Sequence, residues 1–144
     1  LPYVSALAKE VLRCEQVTPL GVPHLSLRDD ESVYDGYTIP AGTTMIPNQW
    51  AMSHDTEAYP SPLSFARERF LSTPAPRSPN TIAFGFGRRV CPGRRVAEDA
   101  LWIHVATTLA CFEVRRGAED VVPPPRYLRE GADAVIRDAV AGLT

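Results

Sequence analysis

The stretch FGFGRRVCPGRR, Phe84 to Arg95, puts one cysteine between a glycine-rich arginine turn and a proline that precedes an apolar helical pattern. Pro92 has no backbone N–H and a fixed φ, which suits the first turn of a helix, so Cys91 is expected at that helix's N-terminal end. There the helix dipole and unpaired N–H groups favour thiolate over thiol. Gly85, Gly87 and Gly93 permit positive φ and close backbone approach to a flat object. Phe84 offers apolar cover, and Arg89 a fixed positive charge for an anionic group. Taken alone, a cysteine here is as well explained as a small buried hydrophobe. With its neighbours it suits an iron porphyrin.

The surrounding chain is ordinary in composition. It has 144 residues, a formal net charge of -2, 44% hydrophobic and 22% charged residues, which suits one globular domain and leaves the fold class open. Cys14, Cys91 and Cys111 are odd in number and widely spaced, against a disulfide framework or a paired-cysteine zinc site, and reduced intracellular thiols are expected. No apolar run approaches the roughly 18 residues of a membrane span, and no signal peptide opens the chain. LPYVSALAKEVLR already reads as helix from Leu1, so the chain is expected to be a fragment of a larger protein.

Val4, Leu7, Ala8, Val11 and Leu12 fall at amphipathic helical spacing, with Glu10 and Arg13 off the stripe. Leu25 and Leu27 alternate with polar residues as a short strand would, before a polar turn over Asp29 to Ser32. Tyr37 to Ile39 and Thr43 to Ile46 read as a hairpin about Pro40-Ala41-Gly42. Prolines 60, 62, 74, 76 and 79 make residues 48–80 irregular, a long loop of a kind that is uncommon unless functional or packed against something outside this chain. Val96, Ala97, Ala100, Leu101, Ile103, Val105 and Leu109 predict the longest helix, ending near Ala110 to Phe112. Beyond Gly117, Pro123-Pro124-Pro125 and REGADAVIRDAV predict a short helix or a strand pair.

The ten residues from Phe84 to Gly93 resemble the haem-binding signature of the cytochrome P-450 monooxygenases at its Phe, Gly, Arg, Cys and Gly positions. Glu10-Val11-Leu12-Arg13 resembles the family's Glu-x-x-Arg motif. Phe65 to Phe70 resembles its Pro-Glu-Arg-Phe segment, with Arg67 where proline is usual. The resemblance is clear over residues 1–126, and 1–144 is expected to be a single incomplete domain, mainly α with a small β-sheet, the C-terminal haem-binding part of that fold. Gly131 leads into Ala132 to Arg137, where the family has a proline-containing hairpin.

The resemblance implies haem b, with Cys91 as axial thiolate, Phe84, Arg89, Gly93 and His24 as haem contacts, and Glu10, Arg13 and Arg69 as a structural ion triad. Arg89 and His24 would meet propionates, and Leu20 to Val22 would line the substrate side. It further implies oxygen insertion into a small hydrophobic substrate, with electrons from NADPH through a cytochrome P-450 reductase that docks near Arg94 and Arg95. The protein would be intracellular, its intact parent anchored to the endoplasmic reticulum, although no anchor is present in this chain. The helix that delivers protons to oxygen would lie upstream of Leu1. Two rivals stand beside this: a haem-binding or inert remnant without turnover, and a reductase-independent peroxide lyase or isomerase, whose cysteine loop usually departs from the pattern here.

The four arginines at 88, 89, 94 and 95 do not make a nucleic-acid patch, since the chain is near neutral and interleaved aromatics are lacking. His54, Asp55 and Glu57 read as solvated, one histidine with two carboxylates being weak evidence for a metal. His104, Trp102, Cys14 and Cys111 read as packing residues.

Overall fold

A computed structural model describes residues 1–27 and 33–114. The polar turn expected over 29–32 and the tail beyond 117 lie outside the described residues. By its internal contacts the chain divides after Cys111, and the elements below lie in the first unit, Leu1–Cys111. In chain order they are α1 (Pro2–Cys14), β1 (His24–Leu25), β2 (Val33–Tyr34), β3 (Tyr37–Thr38), β4 (Thr44–Met45) and α2 (Gln49–Ser53). A 3-10 turn at Arg67–Phe70, α3 (Asn80–Ala83), a second 3-10 turn at Gly87–Arg89 and α4 (Arg94–Cys111) follow. The described chain is mainly helical, with short antiparallel strand pairs.

Helix α1 begins as its sequence suggests, with Pro2 in a first turn that has no need of its N–H. Its most buried face is not the apolar stripe. Val4 and Ala8 are buried, but so are Ala6, Glu10 and Arg13, whereas Leu7, Val11 and Leu12 are only half-buried. The charged pair goes inward because the long loop supplies partners for it. Tyr59, Phe70 and Ala6 form the core cluster, flanked by Ala58, and Tyr59 donates its hydroxyl to the Arg77 carbonyl at 2.9 Å.

The expected hairpin pairs differently. A turn does occur at Pro40 to Thr43, closed by Thr43 N to Pro40 O with Gly42 at φ +80°. Its flanking strands, however, belong to separate ladders: β4 pairs with β1 (Leu25 opposite Thr44) and β3 with β2 (Tyr34 opposite Tyr37). The missed signal is Asp35-Gly36, whose φ values of +50° and +84° make the tight turn that Asp-Gly favours between two strands.

Nor is the stretch from Asn48 to Asn80 wholly irregular. The Asn48 side chain caps α2 by accepting from Ala51 N at 2.9 Å, an N-cap that its residue type could have announced. His54 is not solvated as expected: its ring stacks on Trp50 at 4.3 Å and its Nδ1 lies 2.9 Å from the Trp50 carbonyl. Burial pushes its pKa down against that hydrogen bond. On α4, Trp102 donates to Ser5 Oγ at 3.1 Å and ties the helix to α1, but His104 and Cys111 are exposed and do not pack. Helical periodicity marks an apolar face without saying what covers it.

Between α1 and β1 the chain turns at Gly21, whose φ is +60° and whose added Cβ would lie 2.7 Å from Pro47 Cγ and 3.0 Å from Gln49 Nε2. A left-handed non-glycine residue costs roughly 1–2 kcal/mol before any clash. Gly21→Ala is therefore expected to lower the unfolding free energy by at least about 1 kcal/mol in urea titration of a full-length protein carrying this sequence. An unchanged midpoint would show that the turn relaxes freely.

Candidate functional site

Two clusters carry the chemistry that the sequence singles out. The first gathers on Glu10. Its carboxylate receives Arg13 in a fork, Nε to Oε2 at 2.9 Å and Nη2 to Oε1 at 2.8 Å. The Ala66 N–H donates to Oε1 at 2.7 Å, and Arg69 Nε lies 3.2 Å from Oε2. Glu10 and Arg13 are fully buried and the Arg69 side chain is 9% exposed.

The remaining guanidinium donors turn to the loop. Arg13 Nη1 donates to the Ser53 and Pro62 carbonyls at 3.0 and 2.8 Å, and Nη2 to that of Ser64 at 3.2 Å. Arg69 donates to Pro60 and Ser64 carbonyls at 2.8 and 3.0 Å. A proline-rich loop has no ladder in which to place its carbonyls, and two arginines take that part. Cys14, expected only to pack, also joins: Arg13 Nη2 lies 2.6 Å from its Sγ, and the thiol donates to Glu10 Oε1 at 3.6 Å. Burial pushes that thiol up to about 11, so it is protonated at neutral pH. Its place four residues after Glu10, on one helix face, was the available signal.

The second cluster is the cysteine loop. Helix α3 ends at Ala83, Gly85 follows at φ +79°, and Gly87 at φ +54° opens the second 3-10 turn. The loop closes on itself where Cys91 N donates to Phe84 O at 2.8 Å, and Cys91 O in turn accepts from Arg94 N at 3.2 Å. Both backbone polar groups of Cys91 are thus occupied, while its side chain is free of any disulfide and exposed. Helix α4 starts at Arg94, so Pro92 lies in the turn before it rather than in its first turn. The two glycine turns account for the delay, since the chain must come round to Phe84 first.

Around the thiol, Phe84 is half-buried, Arg89 is exposed, and a Cβ on Gly93 would sit 3.8 Å from Cys91 Sγ. An accessible sulfur, an exposed guanidinium and a bare glycine beside them fit a flat, anionic metal macrocycle. His24 is exposed on β1 opposite Met45. Of the two arginines expected to face a partner, Arg94 is engaged within the chain, donating to Glu98 at 2.7 Å, where Asn80 also donates at 2.6 Å. Arg95 is exposed.

Burial pushes the Glu10 carboxyl up, but the Arg13 and Ala66 hydrogen bonds and the two arginine charges outweigh it, and the net shift is downward. A carboxylate with a depressed folded pKa stabilises the fold above its unfolded value of about 4.3 and loses that contribution as pH falls through the folded value. A full-length protein carrying this sequence is therefore expected to weaken below about pH 4, and Glu10→Gln should flatten that acid limb in urea titrations across pH. At neutral pH, Glu10→Ala leaves the buried Arg13 cation uncompensated and should cost about 3–5 kcal/mol. A loss under about 1 kcal/mol would be the mark of a surface pair.

Comparison with known proteins gives these clusters a context. The family model for cytochrome P-450 matches residues 1–132. Cytochrome P-450 monooxygenase 98 of Postia placenta is 46% identical over 132 residues, covering 85% of this chain and 25% of that protein. Tryptamine 4-monooxygenase of Psilocybe cyanescens is 44% identical over 121 residues, 81% of this chain and 24% of the relative. A solved zebrafish cytochrome P-450 structure with abiraterone superposes with a TM-score of 0.76 at 33% identity, covering 87% of this chain and 28% of that one. The chain thus spans about a quarter of the length of the proteins it matches. With a matching family model along most of its length and the fold of a solved member, the chain belongs to the cytochrome P-450 family.

Proposed function

We propose that this chain is the haem-thiolate portion of a monooxygenase that inserts oxygen into a small hydrophobic substrate, with Cys91 as the residue that would hold the iron. The observation that carries the reading is the cysteine loop, which ties Cys91 N and O to Phe84 and Arg94 and leaves the thiol exposed. A structural cysteine would be expected to bury its sulfur; a ligand needs a fixed backbone and an open one. The haem supplies, when bound, the redox and oxygen chemistry that protein side chains lack.

The residues present would do the rest. Cys91 would hold the haem iron as thiolate, and Arg89, with His24, would pair with the anionic edge of the macrocycle. Phe84 would cover an apolar edge, Gly93 would keep the approach to sulfur clear, and Leu20 to Val22 would border the substrate. Electrons would come from NADPH through a cytochrome P-450 reductase. Arg95 is the better candidate for docking it, because Arg94 is already neutralised by Glu98. The full-length protein would be held at the endoplasmic reticulum membrane by a segment other than these helices; among the described residues none is long and apolar enough to cross a membrane.

In a full-length protein carrying this sequence, the reduced, carbon-monoxide-bound spectrum should show the thiolate-type Soret band, and Cys91→Ala should abolish it. Arg89→Ala should keep the band but release haem to apomyoglobin faster. A thiolate band surviving in Cys91→Ala would refute the ligand assignment. The isolated 144-residue chain is a second case, because Phe86 and Val90 in the cysteine loop are 38% and 39% exposed and Val96 on α4 is 74% exposed. Alone it should neither hold haemin stoichiometrically nor turn over with reductase, and coupled product formation by it would overturn that view.

A further inference from the structure

Arg67 opens the 3-10 turn Arg67–Phe70. It stands between Ala66, whose N–H Glu10 holds at 2.7 Å, and Arg69, whose Nε lies 3.2 Å from the same carboxylate. The path of the backbone at residue 67 therefore decides whether both neighbours reach Glu10 together. Two features of the backbone there would accept proline. Ala66 lies outside the α region, which a following proline would disfavour, at φ -143° and ψ 85°. The first position of a helical turn has no call on its N–H, and among the described residues Arg67 N donates no hydrogen bond.

The chain has an arginine there, and its side chain is held in an unusual way. The guanidinium carbon lies 4.8 Å from the centroid of the Tyr3 ring, in the first turn of α1. Its Nη2 meets Glu68 at 3.0 Å in an exposed pair, while its Nε is buried with no hydrogen-bond partner. An exposed ion pair holds little, and an unsatisfied donor is a cost, so the ring contact is what the placement of the guanidinium satisfies.

We propose that Arg67 is a positioning residue: by stacking on Tyr3 it fastens the start of the 3-10 turn to α1 and aims Ala66 N–H and Arg69 at Glu10, the constraint a proline ring would impose through φ. The tether is a side-chain contact between two elements in place of a stiffened backbone. It makes Tyr3, which the charge network never touches, part of what holds that network.

The test is a set of urea titrations on the haem-loaded, full-length protein. Arg67→Ala and Tyr3→Ala should each raise the unfolding constant about two- to fivefold, the size of a partly exposed cation–π contact, and the double variant no more than either alone. Tyr3→Phe, which keeps the ring face, should be silent. Arg67→Pro should stay at the wild-type level and make Tyr3→Ala harmless. In an Arg69→Ala background the effect of Arg67→Ala should shrink, which a contact with no bearing on the network would not do. Additive losses from Tyr3 and Arg67 would overturn the proposal, as would an undiminished Tyr3→Ala loss in the Arg67→Pro background. Should Arg67→Pro fail to fold, the Tyr3–Arg67 and Arg67–Arg69 cycles decide the matter.

Discussion

A fully buried carboxylate is tolerable only if it is surrounded by donors, and the first half of this structure is organised by that requirement. Glu10 has a bidentate arginine, a second arginine, a backbone N–H and a thiol around it. Each donor comes with its own stretch of chain. Arg13 and Cys14 belong to α1, whereas Ala66 and Arg69 bring the loop. Burying charge costs several kcal/mol per ion, so the arrangement holds only when complete. That all-or-none character lets it hold a loop in which prolines at 60, 62, 74, 76 and 79 forbid any regular ladder. The arginines also give the loop carbonyls of Ser53, Pro60, Pro62 and Ser64 the partners that water or a strand would otherwise supply.

The cysteine loop solves the opposite problem. There the sulfur is exposed, and order comes from backbone bonds: Cys91 N to Phe84 O, Val90 N to Gly87 O, Arg89 N to Phe86 O and Arg94 N to Cys91 O. Two glycines at positive φ make so tight a course feasible. The side chains of Arg88, Arg89 and Cys91 are left exposed. Helix α4 is fixed behind the loop by polar contacts at its N-terminal half, Glu98 with Asn80 and Trp102 with Ser5, which also lead back to α1.

Much of this was legible because short motifs keep their residue types and spacing across a family. The ten residues around Cys91 and the Glu-x-x-Arg pair are of that kind. What escaped was set by partners distant in sequence. Period alone assigned the inner face of α1 to Leu7, Val11 and Leu12, since a charge has no reason to be inside until Ala66 and Arg69 arrive some 55 residues later. The strand pairing was misread for a related reason: Pro40 to Gly42 is a true turn, but Asp35-Gly36 is the one that makes a hairpin, and two adjacent turns compete for the same strand. Helix α2 is only five residues long, too short for any periodicity, and Asn48 was its sole announcement. Cys14 was read by residue type, and its thiol hydrogen bond depends on geometry that type does not carry.

The two clusters differ finally in what closes them. Around Glu10 every strong demand is electrostatic and directional, and each is met within Leu1–Cys111 over distances of about 3 Å. Polar groups can complete one another in so small a unit because a few atoms suffice. The cysteine loop and α4 instead carry exposed apolar side chains, Phe86 and Val90 in the loop and Val96, Ile103 and Leu109 on the helix. Apolar surface has no directional partner to satisfy it; only area covers area, at roughly 25 cal/mol per Å². A charge network can therefore close within these residues, whereas exposed apolar side chains are satisfied only by further area laid over them.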